Sequence, residues 1–274
     1  MFIFNGIADI FGYVLQFLYN MVGENYGIAI ILFTIILRII LLPITIKQQK
    51  SVKKTTELQG KMKEIQFKYK NNPELMNKEI MELYKRENIS PFSGCLSAIL
   101  QIVIILSVFT LVSNPISYML KQKDKVESYR SEIMQEQGSI SNYYEIEIIQ
   151  KKSKQDESIN INMNFLGLDL SKVPSQNIKD PTVYIIPLLY VISSFFSIKL
   201  TTNKNKDITE NKNNSTEDMA QQMSKNMSYI MPIMAVSIAF IAPLGLALYW
   251  FISNVVMIIE RIIINKYVDS KEAK

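Results

Sequence analysis

The sequence has 274 residues, of which 48% are hydrophobic, and its 30 basic and 25 acidic side chains give a net charge of +5. It has no histidine and one cysteine, Cys95, which excludes an intramolecular disulfide and a Cys/His metal site and removes the commonest general base. Its apolar residues are concentrated in blocks between Lys-, Glu- and Asn-rich stretches, which is typical of a polytopic membrane protein rather than of a soluble domain.

Residues 1–22 predict an external amphipathic helix that lies in the membrane interface. Polar residues recur on one side at spacings of three and four, and an apolar stripe occupies the other side. The polar side consists of Asn5, Asp9, Tyr13, Gln16 and Asn20, and the apolar side of Ile3, Ile7, Ile10, Val14, Phe17 and Met21. The alternative is a helix that spans the membrane and carries Asp9 with it. No basic stretch precedes these residues, so a cleaved signal peptide is not expected.

The next apolar run, residues 26–46, is predicted to be the first membrane span. Arg38 is the only charged residue between Glu24 and Lys47, and the run is long enough to cross a hydrocarbon core about 30 Å thick. A guanidinium at that depth costs about 2.5–3.5 kcal/mol on insertion scales, so Arg38 must face protein, water or a partner. The lysines that follow the run mark its cytoplasmic end, so the run begins outside.

Residues 47–90 predict a cytoplasmic helical hairpin. Two apolar stripes with helical spacing, one on each side of Asn72-Pro73, indicate two helices joined by a turn. The first stripe consists of Leu58, Met62, Ile65 and Tyr69, and the second of Leu75, Met76, Ile80, Leu83 and Tyr84. These apolar faces favour a functional hairpin over a plain linker. A solvated pair of helices without a task is the alternative.

Four further spans and three connecting segments complete the predicted topology. In chain order they are span two at 92–113, an extracellular loop at 114–182, span three at 183–200, a cytoplasmic loop at 201–225, span four at 226–242, span five at 244–264 and a cytoplasmic tail at 265–274. The segments placed in the cytoplasm hold more lysine and arginine than those placed outside, as the positive-inside rule requires. The middle of the extracellular loop, about 121–157, is expected to be helical or partly disordered.

Polar side chains inside the apolar runs form the candidate site. Arg38 and Gln101 each lie about nine residues from the cytoplasmic end of their span, roughly 13 Å at about 1.5 Å per residue. Thr34 lies on the same helical face as Arg38. The last span adds Tyr249, Trp250, Ser253 and Asn254 on its inner half. Because the apolar runs hold no aspartate or glutamate at this depth, the cluster predicts a positively charged, hydrated pocket that opens to the cytoplasm.

Each candidate also has a structural interpretation. An arginine can reach the interface along its own stem, although 13 Å is longer than that stem comfortably extends. Gln101 can form a plain hydrogen bond between helices, and Thr34 can bond the carbonyl one turn earlier in its helix. Tyr249 and Trp250 can belong to an aromatic belt, although their depth is too great for one. Asn254 fits a structural and a functional role equally.

Four stretches of the sequence resemble the YidC/Oxa/Alb family of membrane protein insertases, and specifically its five-span bacterial members. They are the run from Phe33 to Gln48 around Arg38; Asn72-Pro73-Glu74 to Lys85 with Pro91-Phe-Ser-Gly94-Cys95-Leu96 to Gln101; Asn164-Phe-Leu-Gly-Leu-Asp169-Leu-Ser171-Lys172; and Met231-Pro232 through Pro243-Leu-Gly245 to Tyr249-Trp250 and Asn254. Together they cover about residues 26–264.

The resemblance implies an all-α polytopic protein of the bacterial cell membrane, with an external N-terminus and a cytoplasmic C-terminus. Five transmembrane helices would enclose a hydrophilic groove that faces the cytoplasm, with a cytoplasmic hairpin that helps to receive clients. Arg38 would draw acidic client segments into the groove, and Thr34, Gln101, Tyr249, Trp250 and Asn254 would line it. The expected partners are nascent membrane proteins, the lipid bilayer and, as candidates, the Sec translocon and the ribosome; nucleic acid is not one.

No nucleotide, metal or other cofactor and no enzymatic turnover are implied. The sequence has no P-loop, no G-x-S-x-G and no H-E-x-x-H motif, so an enzyme is not expected. Two alternatives to an insertase stay open. A channel or transporter for a small anion would use Arg38 as its binding charge, and a membrane scaffold would assemble other helices without moving them.

Overall fold

The structure, a computed structural model, describes residues 2–87, 93–202 and 237–272. It is mostly helical, as predicted. The long helices are α1 (Phe2–Met21), α2 (Tyr26–Glu57), α3 (Gln59–Lys68), α4 (Pro73–Arg86), α5 (Ser93–Ser113), the short α6 (Pro115–Tyr118), α7 (Lys123–Gln137), α8 (Tyr144–Lys152), α9 (Ile185–Thr202) and α10 (Leu244–Glu272). Residues 237–241 are helical too, and 3-10 turns lie at Glu157–Ile159, Pro174–Gln176 and Pro181–Tyr184.

Among the described residues, one element departs from the predicted all-helical fold. A two-stranded antiparallel hairpin, β1 (Asn164–Phe165) and β2 (Leu168–Asp169), pairs Asn164 with Asp169 and Phe165 with Leu168. Two predicted segments lie mostly outside the described residues. Of the cytoplasmic loop at 201–225 only the first two residues are described, and the span at 226–242 is described from residue 237.

Two of the described helices are long and apolar enough to cross a membrane. They are Tyr26–Thr55 within α2 and Leu244–Ile264 within α10, and shorter apolar helices lie at Ile99–Ser113 and Pro181–Ser197. These helices leave large apolar side chains exposed: Ile39 and Ile40 of α2 are 62% and 65% exposed. Exposed apolar area on this scale marks an interaction surface rather than a water-facing one. Lipid is the partner that such long apolar helices fit.

The chain divides into two units, Met1–Arg38 with Ser107–Ile259 and Ile39–Leu106 with Glu260–Lys274. In the second unit, α3 and α4 form a hairpin. Leu58 and Leu83 are buried between them, with Met62, Ile65 and Tyr84 packed alongside. Asn72 begins α4 as the sequence predicts, because its side chain accepts a 3.1 Å hydrogen bond from the Leu75 amide and Pro73 occupies the first helical turn.

In the first unit, α1 packs against α6 and the start of α2. The Gly12 position lies so close to the Tyr118 carbonyl that a Cβ there would be 1.9 Å from its oxygen. Phe11 and Phe33 meet edge to face at 5.4 Å between ring centroids. Lys121 fixes the same contact, because its ammonium donates to the Asp9 carboxylate at 2.8 Å and lies 3.8 Å from the centre of the Tyr13 ring.

Residues 114–182 form a folded region of the first unit. Helices α7 and α8 pack together, and the Lys152 ammonium, in a buried residue, pairs with Glu132 and Glu136. Glu145 of α8 has no exposed surface and accepts hydrogen bonds from the Ser117 amide, at 2.9 Å, and the Ser117 hydroxyl. Burial penalises the charged carboxylate and raises the pKa of Glu145 to about 7, although the Ser117 bonds and the Lys123 charge act in the opposite direction.

The β-hairpin connects this region to the beginnings of α2 and α10. The Tyr26 amide donates to the Asn162 carbonyl at 3.2 Å, and the Asn25 side chain donates to the Asn164 carbonyl at 3.0 Å. On the other side, the Leu244 and Gly245 amides donate to the Lys172 and Leu170 carbonyls, both at 2.9 Å. These bonds satisfy amides at the start of α10 that have no partner within the helix.

Candidate functional site

Helix α2 carries Thr34 and Arg38 one turn apart. Thr34 is 1% exposed, and its hydroxyl donates to the Ile30 carbonyl of its own helix at 2.7 Å. This bond is the structural interpretation that the sequence leaves open for Thr34. Arg38, at the end of the first unit's part of α2, is half-buried. Thr34 therefore belongs to the wall behind Arg38 rather than to an exposed surface.

Arg38 connects α2 with α10. Its guanidinium Nη2 donates to the hydroxyl oxygen of Ser253 at 2.6 Å, and Arg38 makes at least one further interaction. Tyr249 lies one turn before Ser253, is 3% exposed and interacts with both Ser253 and Arg38. The structure thus brings two candidates, Arg38 and Tyr249, together around one serine. The Ser253 hydroxyl orients the guanidinium through a hydrogen bond and carries no charge of its own.

Asn254 connects α10 with α9. Its side-chain amide donates to the hydroxyls of Ser193 and Ser194, at 2.9 and 3.2 Å, and the residue is 8% exposed. Hydrogen bonds of this kind hold helices together in an apolar surrounding. Asn254 therefore supports the position of α10, next in sequence to the serine that contacts Arg38.

The two remaining candidates are both partly exposed. Trp250 is half-buried on α10, beside the buried Tyr249. Gln101 is half-buried on α5 and belongs to the second unit. Within the first unit, the structure gathers Arg38, Tyr249 and Ser253 into one polar cluster, with Asn254 beside it and Thr34 behind it.

Comparison with known proteins places this chain in a family. The sequence profile of the 60Kd inner membrane protein family matches residues 17–272. The chain belongs to this family. The match spans both apolar helices and every candidate residue, which confirms the resemblance found in the sequence motifs.

Relatives in the 60Kd inner membrane protein family include several proteins that are each named "Membrane protein insertase YidC". The protein of Fusobacterium nucleatum is 29% identical over 97% of this chain and 98% of its own length. That of Oceanobacillus iheyensis is 28% identical over 91% of this chain and 78% of its own length. The Treponema denticola relative is 28% identical over 93% of this chain, but the chain spans only 36% of that longer protein.

Two serines of this family member, Ser193 and Ser194, belong to the site but are not among the residues singled out from the sequence. Ser253 belongs to the polar cluster predicted in the last span, yet only the 2.6 Å bond to Arg38 distinguishes it from its neighbours. Ser193 and Ser194 are two adjacent hydroxyl residues inside the apolar helix α9. Such a pair in an apolar run is a usable signal, because hydroxyl oxygens inside an apolar helix can accept hydrogen bonds from a neighbouring helix, as both do from Asn254.

Proposed function

We propose that this chain is a membrane protein insertase and chaperone, which inserts nascent single-span or small proteins into the bilayer and helps them to fold. Membership of the 60Kd inner membrane protein family supports this function. The relative that matches over 98% of its own length, named a membrane protein insertase, supports it too. So do the apolar helices that suit a bilayer. The observation that carries the mechanism is Arg38, held at 2.6 Å by Ser253 between two apolar helices.

The charge of Arg38 gives the insertase a way to admit an acidic client segment. Moving an aspartate to the centre of a bilayer costs about 2.5–3.5 kcal/mol on insertion scales. A carboxylate about 4 Å from a guanidinium gains about 4 kcal/mol at an effective dielectric constant of about 20. The two magnitudes are similar, so one arginine can offset the transfer of one acidic residue part-way across. The apolar client helix then enters lipid, which provides about 0.8 kcal/mol per buried CH₂ and drives the step.

In this proposal the groove opens to the cytoplasm between five spans, with the N-terminus outside and the C-terminus inside. The excess of lysine and arginine in the predicted cytoplasmic segments supports that orientation. The hairpin of α3 and α4 receives clients. The amphipathic α1 lies on the external face of the cell membrane. Its exposed apolar residues support this position, since Phe17 is 67% and Met21 60% exposed. The Sec translocon and the ribosome remain candidate partners.

The roles of the groove residues differ with their burial. Thr34 and Tyr249 are almost fully buried, whereas Trp250 and Gln101 are partly exposed. We therefore assign client contact to Trp250 and Gln101, and assign Thr34 and Tyr249 to the wall that fixes Arg38. Photocrosslinkers at Thr34, Gln101, Tyr249 and Trp250 should react with a nascent single-span client most strongly at the two exposed positions. No crosslink at any position would favour the scaffold alternative.

The decisive test is insertion into reconstituted vesicles. Arg38→Ala should abolish insertion of a small client with an acidic translocated tail, and Arg38→Lys should largely retain it because the charge remains. Lys50→Ala, at an exposed position beyond the apolar run, is the matched control for loss of one positive charge. The same client with its acidic residues replaced by asparagine should depend much less on Arg38.

Each alternative gives a different result in this assay. Full insertion by Arg38→Ala would refute the role of the groove charge. An anion flux that needs Arg38, without any client insertion, would indicate the channel or transporter. Unchanged insertion of clients together with failed assembly of their complexes would indicate the scaffold.

A further inference from the structure

We propose that the tip of the β-hairpin, Leu166, inserts into the acyl chains of the bilayer at the membrane surface where α2 and α10 begin. This inference rests on the proposed membrane spans but not on the insertase mechanism. It assigns lipid as the partner of a part of the 114–182 region for which the function described above gives no role.

Leu166 is an unfavourable residue for its position in the turn. It and Gly167 connect β1 to β2 as a two-residue loop, and both have positive φ, 51° and 81°. Such loops favour asparagine or glycine, because a side chain like that of leucine is strained in the left-handed region. Leu166 is also 86% exposed, so it gains little from packing against the described residues. A residue that is both strained and unpacked indicates a use outside the fold.

The hairpin is held rigidly beside the first turn of α2. The Asn25 side chain donates to the Asn164 carbonyl, and the Gly167 amide donates to the Asn164 side chain at 3.2 Å. The Phe165 ring lies against α2, since a Cβ at Gly27 would be 2.4 Å from its Cγ. These contacts fix the position of the tip. Leu166 directly follows Phe165, the residue that contacts the first turn of α2.

That first turn is also the start of an apolar, laterally exposed helix. The membrane-length run of α2 begins at Tyr26, and Ile28, next to the Phe165 contact, is 40% exposed. The loop that leaves the hairpin bonds the first amides of α10, where the second such run begins. The hairpin thus lies beside the first turns of two apolar helices, and it presents an exposed leucine at its tip. Acyl chains are the occupant that an uncharged, purely apolar tip at this boundary fits.

Spin-label accessibility in proteoliposomes tests the proposal. Because Cys95 is the only cysteine, Cys95→Ser provides the background for a nitroxide label at Leu166→Cys. A label among acyl chains is relaxed more by dissolved oxygen than by a water-soluble nickel complex. Met134→Cys is the matched control, an apolar residue of α7 that is 43% exposed. At that position the nickel complex should have the larger effect.

Each outcome at Leu166 is decisive. A larger oxygen effect than at Met134, with a smaller nickel effect, supports lipid insertion. A dominant nickel effect means that the tip lies in water and overturns the proposal. Low accessibility to both reagents means that protein covers the tip, which also overturns it. The measurement is repeated in Arg38→Ala: an unchanged label signal beside lost insertion activity separates the lipid contact from the groove mechanism.

Discussion

The buried Glu145 predicts how the stability of the folded 114–182 region depends on pH, and this dependence can be measured. The carboxyl group has no exposed surface, and it accepts hydrogen bonds from the Ser117 amide and the Ser117 hydroxyl. Burial raises its pKa to about 7 from the usual value of 4.5. The difference between these two pKa values corresponds to about 3 kcal/mol, at about 1.36 kcal/mol per pKa unit. Replacing Glu145 by glutamine removes the titration, keeps one oxygen that can accept the bond from the Ser117 amide, and places an NH₂ group that can donate to the Ser117 hydroxyl oxygen.

The sign follows from which state binds the proton. Below pH 4.5 the carboxyl is protonated in the folded and unfolded chains, and the group adds no pH dependence. Between pH 4.5 and about 7 the unfolded chain loses the proton while the folded chain retains it, so the free energy of unfolding falls as pH rises. Above pH 7 both states are ionised and the loss, about 3 kcal/mol, is complete. Glu145→Gln should not show this loss.

The assay is thermal unfolding in detergent, together with hydrogen exchange of the Ser117 amide, from pH 4.5 to 8. Relative to the wild type, the free energy of unfolding of Glu145→Gln should rise by about 3 kcal/mol across this pH range. This corresponds to a rise in melting temperature of roughly 6–12 °C, at about 2–4 °C per kcal/mol. Glu157→Gln, at an exposed position, controls for the change in net charge. Parallel pH curves for the wild type and Glu145→Gln would contradict the reasoning, and so would a relative gain at low pH.

Two other contacts make equally specific predictions. Asn254→Ala combined with Ser194→Ala in a double-mutant cycle should show a coupling of about 0.6–1.7 kcal/mol, the range for hydrogen bonds between membrane helices, in unfolding from bicelles; additive effects would mean that the bond contributes nothing. Gly12→Ala should destabilise α1 by about 1–3 kcal/mol, because its Cβ would lie 1.9 Å from the Tyr118 carbonyl oxygen. Gly6→Ala, on the same helix but with no described atom within 4 Å of the new Cβ, should stabilise it by about 0.5–1 kcal/mol, so equal effects in hydrogen exchange of α1 would refute the contact.

Local chemistry made part of this fold predictable. The turn at Asn72 and Pro73 was readable because an asparagine cap and a proline in the first helical turn act within three residues. The apolar stripes of α3 and α4 were readable because helical spacing puts their members on one face, and Leu58 and Leu83 are buried there. The apolar runs that form α2 and α10 follow from hydropathy alone.

The charged region between residues 121 and 157 shows where pattern reasoning stops. Its composition favours helix or disorder, and the structure has α7 and α8 with Glu145 and Lys152 buried between charged neighbours. Burial of a charged residue depends on partners that come from other elements, such as Ser117 for Glu145 and Glu132 for Lys152. A sequence rich in charge contains many such residues, and spacing does not distinguish the two that are buried.

The contact of Arg38 with Ser253 joins residues that are 215 positions apart, so no local rule predicts it. The adjacent pair Ser253 and Asn254 nevertheless indicates which helices can lie beside α10. Neighbouring residues on a helix with 3.6 residues per turn point about 100° apart, so they can face two different neighbouring helices. Two buried polar residues in succession can therefore contact two different helices, and here Ser253 contacts α2 while Asn254 contacts α9. The structure thus has α10 in contact with both helices, with the Ser253 hydroxyl directed to Arg38.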